Sequence, residues 1–277
     1  MKMRNYLAIL TALIILSSCE READIDLPKT EPKLSVSCFI SDDIDTIRAS
    51  IFWSRPVFSS DNNLPERPED LTVIIKNGSL EKTFLWSPDL LQYYLPVTEF
   101  PLVAGQQYVM IVRAPNGTRI SAKTTIPQNL PDIESAEIRL DSSTTSWGES
   151  VYEFTFKTFL RDSDPRFNYY RFAYYEYFSP DPSFETELHR GQSFVDDESV
   201  VNGKIYEEQL IEFFGYNIFT PELTMYIMNA SEEYYRYHRS VENQTDGNPF
   251  AEPALIYSNF EDGLGVFAGY RKVRVTF

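Results

Sequence analysis

The side chains in this sequence that could carry chemistry are few and scattered. Histidine occurs twice, at His189 and His238, and cysteine twice, at Cys19 and Cys38. A protein zinc site takes three or four such ligands at set spacing, so two isolated histidines do not make a metal centre. There is no Gly-x-Ser-x-Gly elbow, no His-Glu-x-x-His pair, no phosphate-binding glycine loop and no Cys-x-x-Cys. Carboxylates are plentiful and cluster at Asp42, Asp43 and Asp45, at Asp162 and Asp164, and at Asp196, Asp197 and Glu198. Calcium takes such oxygens, but a coded loop spaces them and includes a glycine, so these read as solvated acidic loops. The carboxylate pair of a glycosidase need not be adjacent in sequence, and nothing here singles one out. Trp86, Trp147 and the run Tyr169, Tyr170, Tyr174, Tyr175 and Tyr177 could stack on sugar rings, although large aromatics are also what a core is built from. No catalytic residue, metal or cofactor is expected, and the chain reads as a binding protein.

Cys19 is the residue with the clearest chemistry. Lys2 and Arg4 precede an apolar run from Leu7 to Leu16, which is the length of a signal-peptide core and short for a membrane span. Leu16-Ser17-Ser18-Cys19 then gives an aliphatic residue, two small residues and a cysteine, an arrangement that resembles the bacterial lipobox. The resemblance implies acylation of Cys19 and removal of residues 1–18. Residues 19–32 begin Cys-Glu-Arg-Glu-Ala-Asp and read as an acidic tether, similar to the export signals of surface lipoproteins. An outer-membrane lipid anchor is therefore expected, with surface exposure favoured over the periplasmic face. The formal net charge of -16 repels nucleic acid and anionic headgroups. With Cys19 acylated, Cys38 has no disulfide partner. It shares a strand face with Leu34, Val36 and Ile40 and is expected to pack as a small hydrophobe.

The elements that would position these groups are mostly strands. Leu34–Ile40 alternates apolar and polar residues, as do Ile47 to Trp53, while 54–70 is a long loop rich in Ser, Pro, Asn and Asp. Leu71–Lys76 and Leu80–Trp86 flank Asn77-Gly78, a hairpin turn signal. Tyr108–Arg113 and Arg119–Thr125 flank Pro115-Asn116-Gly117. Six or seven short strands over 33–128 predict a sandwich of the immunoglobulin or fibronectin kind. Pro127 and Pro131 mark a boundary, and 129–277 is expected to be a β-rich domain with one or two helices. Within it, Ile133–Leu140, Ser150–Phe159, Lys204–Phe214, Leu223–Met228 and Lys272–Phe277 read as strands, and 179–200 as acidic and irregular. Asn168–Phe178 carries rings on both faces and should be covered on both sides. A helix is capped by Ser231, with Glu232 and Glu233 in its first turn and Tyr234, Tyr237, His238 and Val241 on one face.

Several of these features together resemble a known family. The most specific is the stretch Asn248-Pro249-Phe250-Ala251-Glu252-Pro253, followed by Ile256-Tyr257-Ser258-Asn259 and by Gly263-Leu264-Gly265-Val266-Phe267-Ala268-Gly269-Tyr270. Ile25-Asp26-Leu27-Pro28, Ala104-Gly105-Gln106-Gln107-Tyr108 and Thr125-Ile126-Pro127 agree with it. The chain resembles a Bacteroidota outer-membrane lipoprotein family catalogued as domain of unknown function 4249, over essentially its mature length. The family has no established activity. Its members are commonly encoded beside TonB-dependent receptors, which implies an accessory lipoprotein in nutrient uptake. Capture of a glycan or peptide without a receptor is the alternative, and a hydrolase whose site is invisible in sequence is the second. Phe250, Phe267 and Tyr270 are the expected docking anchors, unless they are core. Asp45-Thr46-Ile47 resembles a three-residue O-glycosylation motif, with the sugar on Thr46.

Overall fold

The structure, a computed structural model, describes residues 31–55, 67–148, 150–162, 166–181, 184–214, 222–244 and 255–277. The protein is mainly β. In chain order the strands are β1 (Leu34–Ile40), β2 (Thr46–Trp53), β3 (Thr72–Asn77), β4 (Leu80–Thr83), β5 (Leu85–Ser87), β6 (Gln92–Pro96), β7 (Gln107–Arg113) and β8 (Arg119–Thr125). They continue with β9 (Asp132–Thr144), β10 (Ser150–Arg161), β11 (Tyr169–Asp181), β12 (Phe184–Asp196), β13 (Lys204–Phe214), β14 (Glu222–Ala230) and β15 (Leu264–Thr276). One α-helix, α1 (Glu232–Glu242), and a 3-10 turn at Asp197–Ser199 complete the elements among the described residues. No helix among them is long and apolar enough to cross a membrane.

The strands form three sheets. An eight-stranded sheet runs β12-β11-β14-β15-β1-β2-β6-β5, a four-stranded one β4-β3-β7-β8, and a three-stranded one β13-β10-β9. The four-stranded sheet faces the β1-β2-β6 half of the large sheet. Alternation on β1 puts Leu34, Val36, Cys38 and Ile40 into this core, against Val73, Ile75, Tyr108, Met110 and Val112. The three-stranded sheet faces the other half, where Phe154, Phe156 and Leu160 of β10 meet Tyr170, Phe172 and Tyr174 of β11. These are two sandwich cores behind one continuous sheet.

Two expectations need correction. The second half of the Asn77-Gly78 hairpin is not one strand. It breaks at Phe84, so β4 pairs with β3 while β5 crosses to pair with β6 in the other sheet. Residues 179–200 are not irregular, since most of them form β12. The glycine-spaced segment belongs to a strand. β15 begins at Leu264, pairs in parallel with β1 through Gly269, and then pairs antiparallel with β14 through Thr276. Its glycines are what permit this. A Cβ on Gly265, where φ is +99°, would stand 1.9 Å from the Val36 carbonyl oxygen. On Gly269 it would come within 2.7 Å of the Thr125 carbonyl oxygen, where β8 crosses close by.

Candidate functional site

The outer face of β12, β11, β14 and β15 is where the chain gathers its unusual side chains. Along β11, Tyr170, Phe172 and Tyr174 point to the sandwich core, so Tyr169, Arg171, Ala173 and Tyr175 point outward. α1 lies on that outer face. It seats on Ala173, Met228, Ala230, Val266 and Ala268, three of them alanines that let a helix come close, and Tyr234 fills the contact. The aromatic strand is thus covered on both sides where α1 lies over it, as its ring pattern requires.

The helix is fixed at its start by a polar knot. Ser231 Oγ accepts the Tyr234 N–H at 3.3 Å. The Gly269 N–H reaches Thr124 Oγ1 at 3.0 Å and Ser231 Oγ at 3.3 Å, tying α1, β8 and β15 together. Beside this knot a cleft of about 290 Å3 opens between the link 125–128, the turn 166–169 and residues 229–233. The acidic loops are used in the same structural way. Asp196 caps the 3-10 turn and accepts the Tyr235 hydroxyl at 3.0 Å, and Asp197 accepts the Asn168 N–H at 2.7 Å. Asp42 pairs with Arg271 and Asp43 with Lys272. Asp164 lies outside the described residues. Among the described residues no group of three or more His, Cys, Asp or Glu is arranged to hold a metal ion.

Arg171 sits under α1, half-buried. It donates to the Tyr234 hydroxyl and, at 2.6 Å, to Gln192 Oε1. Its Nε is buried without a partner, and its guanidinium lies 5.8 Å from the Phe194 ring and 5.9 Å from the Tyr234 ring. Gln192 is itself oriented by donating to Glu242 Oε1 at 3.2 Å. His238 stacks between Phe39 at 5.3 Å and Phe194 at 5.8 Å, and its buried Nε2 also has no partner. Burial, helped by the Arg171 charge, pushes His238 down to about 3, so the ring is neutral. His189 is exposed at the open end of the same face, edge-on to Tyr175 at 5.1 Å. Partial desolvation and the same guanidinium lower its pKa too. Tyr175 meets Tyr226 at 5.5 Å, and Lys272 Nζ lies 5.4 Å from the Tyr226 ring.

Sequence reasoning named some of these residues and missed others. His189 and His238 come to one face with Arg171 between them, and among the described residues neither belongs to a group of three or more His, Cys, Asp or Glu that could hold a metal ion. Tyr170 and Tyr174 are core, and Trp86 packs on Tyr93 at 5.0 Å. Trp147 stands 89% exposed at the tip of the β9–β10 hairpin. The docking anchors are corrected at one position: Phe267 is fully buried in the first core because its strand face points inward. Tyr270 is half-buried against Tyr234 at 5.6 Å, and burial raises its hydroxyl pKa. Phe250 and Cys19 lie outside the described residues. Thr46 is half-buried at the start of β2, opposite Pro96. Cys38 is fully buried, which raises its thiol pKa and makes it inert. Arg171 was missed, and its only signal was a cation inside an aromatic strand.

A family profile described as Domain of unknown function (DUF4249) matches residues 20–276. No curated protein matches the chain. Among solved structures, one titled "Cytokine receptor complex - Crystal form 2" is similar at 10% identity over 73% of this chain and 92% of that chain. Its TM-score of 0.22 carries no argument about fold or function.

Proposed function

We propose that this chain, which belongs to the family described as Domain of unknown function (DUF4249), is a non-catalytic lipoprotein anchored in the outer membrane through Cys19, where it serves as accessory partner of a TonB-dependent receptor in nutrient uptake. The observation that supports a binding role is the outer sheet face around Arg171. Arg171 Nε and His238 Nε2 are polar groups that the fold leaves without partners, and they sit among rings on a rigid helix and sheet. Groups held in place before a ligand arrives lose little freedom on binding, which suits capture and hand-over. The lipid anchor supplies the location, since each buried methylene adds about 0.8 kcal/mol of membrane affinity.

The test is affinity purification of the tagged lipoprotein from detergent-solubilised outer membranes, read by mass spectrometry. A TonB-dependent receptor is expected among the enriched proteins, above the level seen with an unrelated lipoprotein as bait. Equal recovery with both baits would remove the receptor reading. Capture of a ligand without a receptor is the second reading. It is favoured by the exposure of His189 beside Tyr175 at the open end of the face.

A further inference from the structure

We infer that Arg171, with the Tyr175–His189–Tyr226 rings at the open end of its face, is the recognition point for the carboxylate of an acidic saccharide. The inference rests on reading this face as the ligand-holding one, and it names the class of ligand.

The first observation is the company Arg171 keeps. The protein carries 41 carboxylates against 25 cationic side chains. Several of its other arginines pair with carboxylates: Arg139 with Asp141, Arg161 with Asp132, Arg236 with Glu232, Arg271 with Asp42. Arg171 is less exposed than most of these, yet it donates to a phenol and to an amide oxygen, with no carboxylate partner among the described residues. Withdrawing a guanidinium from water without a counter-charge is unfavourable by several kcal/mol. Arg171 is thus a half-buried cation on this face that no carboxylate among the described residues neutralises.

The second observation is independent of the first. Both histidines of the chain flank Arg171, and both are neutral near pH 7, so neither competes for an anion nor repels the guanidinium. His238 Nε2 stands unpartnered within the same cluster. The Gln192 side chain is held in one orientation between Arg171 and Glu242. A planar guanidinium reads a carboxylate through paired N–H donors, which an ammonium cannot do.

The third observation selects the body that carries the carboxylate. Tyr175 and Tyr226 sit at right angles, at 79°, with His189 and Lys272 beside them. Rings and hydroxyls in that mixture suit the C–H faces and hydroxyls of a sugar. An extended peptide would instead look for unpaired backbone at a sheet edge. Arg171, Tyr175 and Tyr226 stand on β11 and β14, each paired on both sides, so those strands offer side chains alone, while β12 is the end strand of the sheet and its edge is what an oligoglutamate peptide probes.

The full lipoprotein in detergent micelles would be titrated by calorimetry with an oligogalacturonate. Parallel arms would use the same oligosaccharide with its carboxyls methyl-esterified, and a short oligoglutamate peptide. Binding is expected for the acid, at least tenfold weaker for the ester and for the peptide. Arg171→Lys, which keeps the charge and loses the fork, should weaken the acid at least tenfold and leave the ester unchanged. Should Arg171→Lys fail to fold, Tyr175→Ala and His189→Ala carry the test. Tyr175 packs at the edge of the helix seat and His189 stands exposed beyond it, so both variants are expected to weaken the acid and His189→Ala to leave the melting temperature within about a degree. Equal affinity for acid and ester, tighter binding of the peptide, or no binding of the acid would each overturn the inference. A receptor that co-purifies while the acid does not bind sinks this inference alone. Binding of the acid with no receptor recovered sinks only the receptor reading.

Discussion

His238 shows how a residue that looks catalytic can be a packing residue with a measurable cost. Its ring is held between Phe39 and Phe194 and faces Arg171, Tyr234 and Tyr237. Its folded pKa of about 3 lies below the ordinary 6.5, so the unfolded chain binds the proton more readily. Stability is therefore fully present above about pH 6.5 and is lost as pH falls toward 3. Each pKa unit corresponds to about 1.4 kcal/mol, giving a loss of a few kcal/mol at most. His238→Phe preserves the stacking and removes the titration. Urea unfolding at pH 7 and pH 4 should show a smaller drop in the variant than in the wild type, and equal drops would refute the assignment. Thr46 is a second residue with a prediction. If it carries an O-linked sugar, native protein should be heavier than its sequence mass, and Thr46→Ala should remove that excess in an intact-mass spectrum. Identical excess in both would place any modification elsewhere.

At the scale of elements, legibility in the sequence followed local pattern. β1, β2 and β8 alternate over a core on one side, β3 and β7 carry short buried runs between turn signals, and α1 carries its acidic first turn and its Tyr face in eleven residues behind the Ser231 cap. β12 was hidden for a physical reason. Its register against β11 shifts between Tyr174 and Tyr175, so a strict alternation of faces does not run through it. β15 was half legible: Lys272–Phe277 reads as a strand, whereas the glycines before it let two backbones approach, which no local pattern shows. The Arg171 site could not be assembled from the sequence, because the β11–β12 hairpin, β14 with α1, and β15 come together through long-range pairing. The β15 account makes a prediction. Gly265→Ala adds a Cβ at 1.9 Å from the Val36 carbonyl oxygen in a left-handed conformation, so the strand must shift. A loss of roughly 3 kcal/mol or more is expected in denaturant unfolding. Gly191→Ala meets nothing closer than Ile211 Cδ1 at 4.0 Å and should change stability by less than about 1 kcal/mol. Similar behaviour of the two variants would contradict the close approach.

The molecule as a whole is acidic. Its net charge of -16 gives no attraction to anionic lipid headgroups, so the proposed membrane anchoring rests on acyl chains at Cys19. Cys19→Ala should abolish incorporation of a clickable fatty acid and move the protein from the membrane fraction to the soluble one. Equal labelling of wild type and variant would remove the lipoprotein assignment and, with it, the outer-membrane location.

The parallel pairing of β1 with β15 also governs when the molecule can exist. Cys38 and Phe267 sit opposite each other in that pair, some 230 residues apart along the chain. A ribosome delivers β1 first, and β1 can find β2 almost at once, but its other edge stays bare until the chain has grown past residue 264. A bare strand edge invites pairing with another chain. Non-local pairing of this kind is slow to form, because the loop it closes must be ordered before any contact rewards it. The native sheet is thus a product of the finished polypeptide rather than of its emergence, and premature release at any point before β15 should yield aggregates instead of a folded first half.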